Sequence, residues 1–586
     1  MEFIDDFVHH KVLQVAQDVQ KLEIMSDPVI HFLLLTFCQR PRLDYLSRCL
    51  PPKAMRNDDS NKLGIQHLDS KLAHAVFKRG TQDRFGRLEP DQQKWCTYIL
   101  QLPHHLGGFG FTPGKASGIA AFYSATARFV QWLGSLPNKD DWVRNQDMHD
   151  PATWIAPDLL SLTELHSTMI HTYHCVEGPQ SPQQNAAAPL ANGPEVTHPL
   201  SLPPLNSLAR AQDSMEDDNA DENLSKLPPQ KRITAQIMKH WAPHADARSS
   251  ATPRQQALEQ MHKCQRILVQ PPKDASASAQ SILGDDMPVR ADNDDGSKTE
   301  IKYSPTAFLS SISAVVYAQE PFDNDDWSSW MCQILGLPIP RLVEYARKPC
   351  TCGRLPIDEY GDHIHTCRKY GRNKYDAHRI VLQALQGICQ RAGYSSEIKN
   401  VPVSNGKRRA DLFIKHVKLA QKEDMVVDVS VIHEFHGDVL QDVRRNGTLC
   451  HQDPSSPILL DSKAHKKVNK YRDDYSRPGR PDRPKAFLPA IMSTSGRIQG
   501  ELLRLLFILS HRQAQAYFFQ LGLDPSNQAF TSRRGMYFSH IRASIGLACA
   551  QAIAARAYLP SFNHHRRPPS PPPHGTLDDI PSFSYH

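Results

Sequence analysis

One short stretch of this chain contains four side chains that together can ligate a metal ion. Cys350 and Cys352 are separated by one residue, and His363 and Cys367 follow after a segment containing glycine and proline. Zinc prefers four sulfur or imidazole ligands arranged in a tetrahedron. A loop this short has almost no apolar core, so a bound ion would supply much of its folding free energy. The spacing therefore predicts a structural Zn²⁺ site, with His365 as the alternative to His363; the other reading is a turn with reduced cysteines.

Length and composition set broad limits on fold and location. With 586 residues, of which 40% are hydrophobic, the chain can bury several cores and is expected to form two to four domains. Its apolar runs, such as Glu501–Leu509, are interrupted by charge and fall short of the roughly 20 residues that a membrane-spanning helix needs. The N-terminus does not resemble a secretory signal. These features predict a nuclear or cytoplasmic protein that does not enter the membrane and whose cysteines are reduced.

Changes in composition along the chain predict its division into segments. Residues 177–230 and 561–586 are rich in proline and polar residues, so they cannot bury enough apolar surface to offset the entropy of ordering. The other stretches contain apolar residues at helical or strand spacing. We therefore expect a mainly helical region at 1–176, a disordered linker at 177–230, a helical connection with an internal polar linker at 231–345, a zinc knuckle at 346–370, an α/β domain at 371–560 and a disordered proline-rich tail at 561–586.

Two short apolar segments each contain one acidic residue. The segments 408–414 and 425–432 are predicted to be strands, and they carry Asp411 and Asp428. A carboxylate in the middle of an apolar strand is costly unless it is paired or binds a cation. Two such strands in succession favour a shared site. In the alternative reading, Asp411 pairs with Arg409 and Asp428 forms a salt bridge at a strand end.

The segments around these strands complete a pattern suited to phosphodiester cleavage. An amphipathic helix is predicted over 376–393, with Asp376 as its N-terminal cap, and a basic helix containing Lys467 and Lys470 follows the second strand. Two carboxylates can hold Mg²⁺, which activates water and stabilises the departing oxygen, while a lysine neutralises charge on the phosphate. The order helix, two acidic strands and basic helix therefore predicts a metal-dependent nuclease site.

Positive charge is concentrated in the same third of the chain. From Lys463 to Lys485 there are nine Lys or Arg residues against three Asp, whereas the net charge of the whole chain is only +6. Clustered Lys and Arg side chains neutralise phosphates, so the pattern favours contact with DNA or RNA. A solvated charged face is the alternative. The residues expected to contact nucleic acid are Lys407, Arg408, Arg409, Lys463, Lys466 and Arg472.

The motifs of this region occur in the same order in a known family. They are the Cys-x-Cys-Gly and Gly-Asp-His-x-x-x-Cys knuckle, the Arg-x-Asp-Leu strand, the Val-Asp-Val-Ser-Val strand, the Lys-x-x-Lys-Tyr helix and the segment 487–496. The order resembles the C-terminal part of non-LTR retrotransposon polyproteins, in which a restriction-like endonuclease follows a reverse transcriptase. In that family the module nicks target DNA to prime reverse transcription. The resemblance extends more faintly to segments before the knuckle.

The resemblance implies an α/β restriction-endonuclease-like domain with a small zinc knuckle, preceded by a mainly α-helical region and disordered linkers. It implies structural Zn²⁺, catalytic Mg²⁺ and a DNA substrate. The residues that match catalytic positions of the family are Asp411 and Asp428 as metal-binding acids, Lys467 or Lys470 as the lysine, and Glu397 as an accessory acid. Ala410 stands where the family usually has proline, and the two acids are further apart than is typical, so a decayed site is an open alternative.

The polymerase of such polyproteins has no predicted counterpart. A polymerase palm needs Tyr/Phe-x-Asp-Asp in a hairpin between apolar strands, whereas the matching letters at 471–474 follow a basic segment and are predicted to be a helix end and loop. Reverse transcriptase activity is therefore not expected. The leading hypothesis is nicking of DNA, and the alternatives are a non-catalytic nucleic-acid-binding fragment and a protein-interaction scaffold. The sequence contains no signal for an oligomeric state.

Overall fold

The structure is a computed structural model. The residues that it describes are 2–50, 55, 62–114, 116–118, 121, 125, 242–269, 299–312, 321–402, 409–417, 424–476, 485–523 and 527–559. The segments predicted to be disordered, 177–230 and 561–586, lie outside these residues. No helix in the described ranges is long and apolar enough to span a membrane.

Helices dominate the described residues before the knuckle. They are α1 Glu2–Lys21, α2 Pro28–Leu34, α3 Leu46–Cys49, α4 Ile65–Gly80, α5 Pro90–Gln101, α6 Ala242–Ser249, α7 Pro253–His262, α8 Asn324–Leu335 and α9 Pro340–Val343. Two strands, β1 Gln265–Val269 and β2 Thr299–Tyr303, pair antiparallel between α7 and α8. The mainly helical character predicted for the N-terminal region agrees with its described part.

The local sequence determines where α8 begins and ends. The side chain of Asp323 accepts a hydrogen bond from the backbone N–H of Asp326, which caps the start of the helix. Gly336 ends it in the left-handed conformation with φ of +67°. Trp327 and Trp330 are both buried on this helix, so they fix its rotation within the core.

The second half of the fold is an α/β unit. Its elements are α10 Asp362–Thr366, α11 Gly371–Arg391, β3 Ser396–Pro402, β4 Arg409–Ile414, β5 Asp424–Ile432, α12 Ile458–Ser476, β6 Lys485–Ser493, α13 Gly500–Gln520 and α14 Asn527–Arg556. The strand order is β3-β4-β5-β6. The first three strands pair antiparallel, whereas β5 and β6 are parallel because α12 connects them across the sheet.

Both faces of this sheet are covered by helices. Met425 and Val427 of β5 point into a cluster formed with α11, α13 and α14, while Val426 points to the opposite face and packs with Tyr471 and Tyr475 of α12. Alternate side chains of a strand point to opposite faces. A strand buried on both sides is a near-continuous apolar run, which explains why Asp428 is conspicuous in β5.

The helix before the sheet is longer than predicted. It begins at Gly371, five residues before Asp376, so Asp376 lies inside the helix and is not its cap. The additional turn is held by Asn373, whose side-chain amide donates to the backbone carbonyl oxygens of Arg556 and Tyr558. Gly393, with φ of +82°, lies just after the helix. The predicted cap was wrong because a contact with α14 extends the helix.

One apolar cluster joins parts of the chain that are far apart in sequence. It includes residues of the N-terminal helices α1 to α5, α8, the Cys/His segment and the C-terminal part of α14. Cys350 and Cys367 belong to this cluster. The Cys/His segment is therefore packed into a larger core, and experiments on it are best made with the full chain.

A buried ion pair closes the base of the long loop between β5 and α12. The Arg497 guanidinium is 2% exposed and pairs with Glu434, which is fully buried, and it also donates to the backbone oxygens of residues 454–456. Removing one partner of a buried pair leaves an uncompensated charge, which costs about 3–5 kcal/mol. Glu434→Ala should lower the free energy of unfolding by that amount, measured by urea denaturation of the full chain.

The matched control for this prediction is an exposed ion pair. Asp91 and Lys94 pair on α5 with more than half of each side chain exposed. Asp91→Ala should change stability by no more than about 0.5 kcal/mol. If Glu434→Ala proved as mild as Asp91→Ala, the buried pair would not be a determinant of this loop.

Candidate functional sites

Four side chains converge in the Cys/His segment as the sequence predicted. The ligand atoms of Cys350, Cys352, His363 and Cys367 all lie within 4.8 Å of one another. The Sγ atoms of Cys350 and Cys367 are 4.0 Å apart, and Sγ of Cys352 is 3.4 Å from Nε2 of His363. Distances of this size suit ligands around one tetrahedral ion. The cluster could therefore hold a metal such as zinc.

Backbone N–H groups at and just after the second ligand support thiolates. The N–H of Cys352 donates to Sγ of Cys350, and the N–H of Arg354 donates to Sγ of Cys352, both at 3.4 Å. Gly353 has φ of +70°, which allows the tight turn. Burial acts to raise the pKa of Cys352, but hydrogen bonds, foremost those from the N–H groups of Leu355 and Arg354, lower it to about 6. A thiol that ionises readily is the form that binds zinc.

The imidazole of His363 is held in the tautomer that a metal ligand needs. Its Nδ1 lies 2.8 Å from the carbonyl oxygen of Gly437, and a carbonyl can only accept, so Nδ1 carries the proton. Nε2 is then unprotonated and faces the cysteine sulfurs. A hydrogen bond from the second ring nitrogen to a carbonyl is a common support for metal-bound histidine.

His365, the alternative ligand, lies outside the cluster. Its Nε2 hydrogen-bonds to the side-chain oxygen of Gln333 on α8 at 2.7 Å, and its ring lies 4.6 Å from that of His433. Burial, together with the nearby His433, lowers its pKa well below the usual value. His365 is therefore a core histidine that connects α8 to the end of β5, and His363 is the imidazole of the cluster.

A buried carboxylate next to the cluster ties it to the rest of the fold. Arg254 of α7 binds both oxygens of Asp362, at 2.7 and 2.9 Å, and His433 donates to the same carboxylate at 3.0 Å. Burial alone would raise the pKa of Asp362, but Arg254 and His433 hold it well below its usual value. The sequence offered no signal for Arg254, because it lies about 100 residues before its partner.

The two acids of the predicted nuclease site meet across neighbouring strands. Leu412 of β4 pairs with Val427 of β5, so Asp411 lies opposite Asp428 one residue further along the antiparallel ladder. The N–H of Val429 donates to Oδ2 of Asp411 at 2.8 Å. The carboxylates are close enough that each shifts the pKa of the other. The alternative pairing of Asp411 with Arg409 involves a side chain that lies outside the described part of the chain.

A negative charge on Asp428 is energetically unfavourable. It is 5% exposed, and burial together with the neighbouring Asp411 raises its pKa to about 6, although Lys467 counteracts the rise. Nζ of Lys467 lies 2.6 Å from Oδ2 of Asp428. Burial would also raise the pKa of Asp411, but hydrogen bonds from His378 and Val429 lower it. The pair therefore combines Asp411, which ionises readily, with Asp428, which ionises only at higher pH.

The structure distinguishes the two candidate lysines. Lys467 lies on the side of α12 that faces the sheet and contacts Asp428, whereas Lys470 is exposed and its ammonium lies 4.8 Å from the ring centre of Tyr471. Lys467 is the lysine that the fold brings to the acidic pair.

His378 of α11 also reaches this pair, and the sequence did not indicate it. Its Nε2 lies 3.0 Å from Oδ2 of Asp411. In the sequence it is a single histidine near the start of an amphipathic helix, which is more often a surface or core residue than a site residue. Only the docking of α11 against β4 reveals the contact.

Glu397 has a different environment from the other acids. It lies on β3 opposite Phe413, and its carboxylate accepts hydrogen bonds from Lys399 and Lys415. The bond from Lys399, followed by that from Lys415, lowers its pKa to about 2. The structure therefore places Glu397 in a surface ion pair and does not bring it to Asp411 and Asp428.

The predicted nucleic-acid contacts are only partly described. Lys463, Lys466 and Arg472 lie on α12, with Lys466 exposed and the other two half-buried. Arg409 begins β4, and residues 407–408 lie outside the described ranges.

The Tyr-x-Asp-Asp letters occupy a helix. Residues 471–474 form part of the last turns of α12, where Tyr471 packs on Phe487 with ring centres 5.4 Å apart. The predicted helix end agrees with this placement, whereas the predicted loop does not begin within residues 471–474, and the hairpin that a polymerase palm requires does not form there.

Comparison of the chain with protein-family models and with curated proteins finds no match. Functional assignment therefore depends on the two constellations of side chains. One is the cluster of three cysteines and His363, and the other is the acidic pair with Lys467 and His378. The cysteine-histidine cluster is suited to a structural ion. The acidic pair lies against the lysine ammonium and the imidazole, and these side chains are partly accessible to solvent.

Proposed function

We propose that this chain is a retroelement-derived endonuclease that nicks DNA with the help of a divalent cation, and that the cysteine-histidine cluster is a structural zinc knuckle. The observation that carries the proposal is the cross-strand pair of Asp411 and Asp428 with Lys467 in contact. The order of helix, antiparallel strands, basic helix and parallel strand supports a restriction-like fold for residues 371–560.

The donor set suits a hard cation. Two carboxylates from adjacent strands present oxygen ligands, which Mg²⁺ and Mn²⁺ prefer. Asp411 and Asp428 are the residues that would hold the ion. When bound, such a cation supplies Lewis-acid stabilisation of charge on a phosphate. A shared cation also explains why two acids persist side by side in a buried strand pair, where each would otherwise increase the cost of the other.

Lys467 can contact Asp428 when DNA is absent and a phosphate oxygen when DNA is bound. In the structure described here its ammonium neutralises Asp428, and its side chain keeps 15% exposure at the edge of the pair. A lysine is a compact charge on a flexible stem, so it can turn from the carboxylate to a phosphate oxygen when DNA lies against the site. Its role in the proposal is to bind and neutralise the phosphate that is cleaved.

The exposed side of α12 is proposed to hold the duplex by its backbone. Lys466 and Lys470 are exposed on this helix near Lys467, and phosphate contacts by such residues position DNA without reading its sequence. Lys466→Ala should weaken binding of duplex DNA and reduce the slope of log affinity against log salt by about 0.9. Titration of a labelled duplex at several salt concentrations measures this slope.

The control for salt dependence is a lysine remote from the sheet. Lys71 is exposed on α4, so Lys71→Ala should leave the slope unchanged. Affinity that does not weaken with salt in the parent protein would exclude phosphate contacts and favour a protein-interaction scaffold.

A second candidate function is nucleic-acid binding without catalysis. The observation that favours it is the 2.6 Å ion pair of Lys467 and Asp428, in which the lysine ammonium, instead of a metal ion, neutralises the buried carboxylate. Metal dependence distinguishes the two candidates. Nicking of supercoiled plasmid that requires Mg²⁺ or Mn²⁺ supports the endonuclease, whereas salt-sensitive binding without nicking supports the binding protein.

A further inference from the structure

The imidazole of His378 is held by a well-packed helix. α11 docks on the sheet through Ala377, Val381 and Leu385, which are completely buried. His378 follows Ala377 and is directed to Asp411 of β4, and about a quarter of its side chain stays exposed. The ring is therefore presented to the acidic pair from a rigid element, not from a loop.

His378 and a backbone group act on the same oxygen of Asp411. Nε2 of His378 lies 3.0 Å from Oδ2, and the N–H of Val429 lies 2.8 Å from the same atom. An ionised carboxylate can only accept, so Nε2 is the donor. Two donors that converge on one oxygen fix the rotation of the carboxylate about its side-chain bonds. The second oxygen, Oδ1, is then presented in one orientation.

We propose that His378 is a positioning residue for the cation site. Through its hydrogen bond it holds Asp411 in the orientation in which Asp411 and Asp428 together bind one divalent cation. This inference rests on the proposed function, because it assigns the acids to a cation. Groups that orient metal ligands in this way commonly contribute 10–100-fold to metal affinity. In this arrangement His378 binds the carboxylate of Asp411 and does not ligate the cation, which carboxylate oxygen atoms of Asp411 and Asp428 hold.

The inference is tested by direct binding of Mn²⁺ to the zinc-loaded full chain, followed by electron paramagnetic resonance. The site is defined as the Mn²⁺ binding that Asp428→Asn removes. His378→Ala should weaken this binding by about 10–100-fold. His378→Gln keeps an N–H donor at a similar reach and should restore most of the affinity. His378→Leu fills the space without a donor, so it should behave like His378→Ala and covers the case in which the smaller side chain disturbs folding.

A remote histidine provides the control. His10 is exposed on α1, and His10→Ala should bind Mn²⁺ like the parent. Parent-like affinity in both His378→Ala and His378→Leu would overturn the positioning role while leaving the proposed cation site intact. Absence of Asp428-dependent Mn²⁺ binding in the parent would overturn both this inference and the proposed function. The two failures are therefore distinguishable in one titration series.

Discussion

The purified full chain should contain a single zinc ion, and Cys367→Ser should abolish its binding and destabilise the fold. Cys367 is buried in the same apolar cluster as the N-terminal helices. Unfolding of the knuckle would therefore expose apolar surface of the knuckle and of those helices. Structural zinc contributes about 10 kcal/mol or more to the folding of small zinc domains. Elemental analysis gives the zinc content, and a large fall in the thermal unfolding temperature reports the loss of stability.

Two histidine variants and one cysteine variant sharpen this prediction. His363→Ala should lose zinc, whereas His365→Ala should retain it because His365 contacts Gln333 outside the cluster. Cys49 is an exposed free cysteine, and Cys49→Ser should change neither zinc content nor stability. A parent protein without zinc, or a His363→Ala variant that keeps it, would show that the cluster is a turn with reduced cysteines.

Asp411→Ala and Asp428→Asn should each reduce the rate of DNA nicking about 10³-fold. Each removes a proposed ligand of a cation that stabilises phosphate charge, and about 4 kcal/mol of lost transition-state stabilisation corresponds to that factor. Asp428→Asn keeps the shape of the side chain and an amide oxygen that can accept a hydrogen bond from Lys467, whose side chain is 15% exposed, so the variant should fold. Initial rates of plasmid nicking at saturating Mg²⁺ give the comparison.

The control is an acid on the same side of the sheet that takes no part in the site. Asp473 is exposed on α12, and Asp473→Ala should nick at the parent rate. Loss of activity in the Asp473 variant would indicate a general electrostatic effect. Retained activity in the Asp428 variant would remove the acidic pair from the mechanism.

Features that depend on local sequence were predicted well. Cys350 and Cys352 meet His363 and Cys367 because ligand spacing is a property of a short segment, and the four atoms do converge. Asp411 and Asp428 were conspicuous because a charge in an apolar strand is costly wherever the strand lies. Their mutual proximity follows from the pairing register of two strands that are neighbours in sequence.

Features that depend on distant contacts could not be predicted. The Arg254–Asp362 pair joins α7 to the knuckle, and His378 reaches Asp411 only because α11 docks on β4. The choice between Lys467 and Lys470 depends on the rotation of α12, which the packing of its tyrosines on the sheet determines. A pattern along the chain contains no information on these contacts.

The central claim is that the acidic pair makes this chain a metal-dependent endonuclease. The most direct measurement is conversion of supercoiled plasmid to open circles by the zinc-loaded full chain with Mg²⁺ or Mn²⁺, compared with the same reaction containing EDTA and with the Asp428→Asn variant. We predict open circles only for the parent protein with a divalent cation. Salt-sensitive DNA binding without nicking by the parent, or equal nicking by the variant, would contradict the claim.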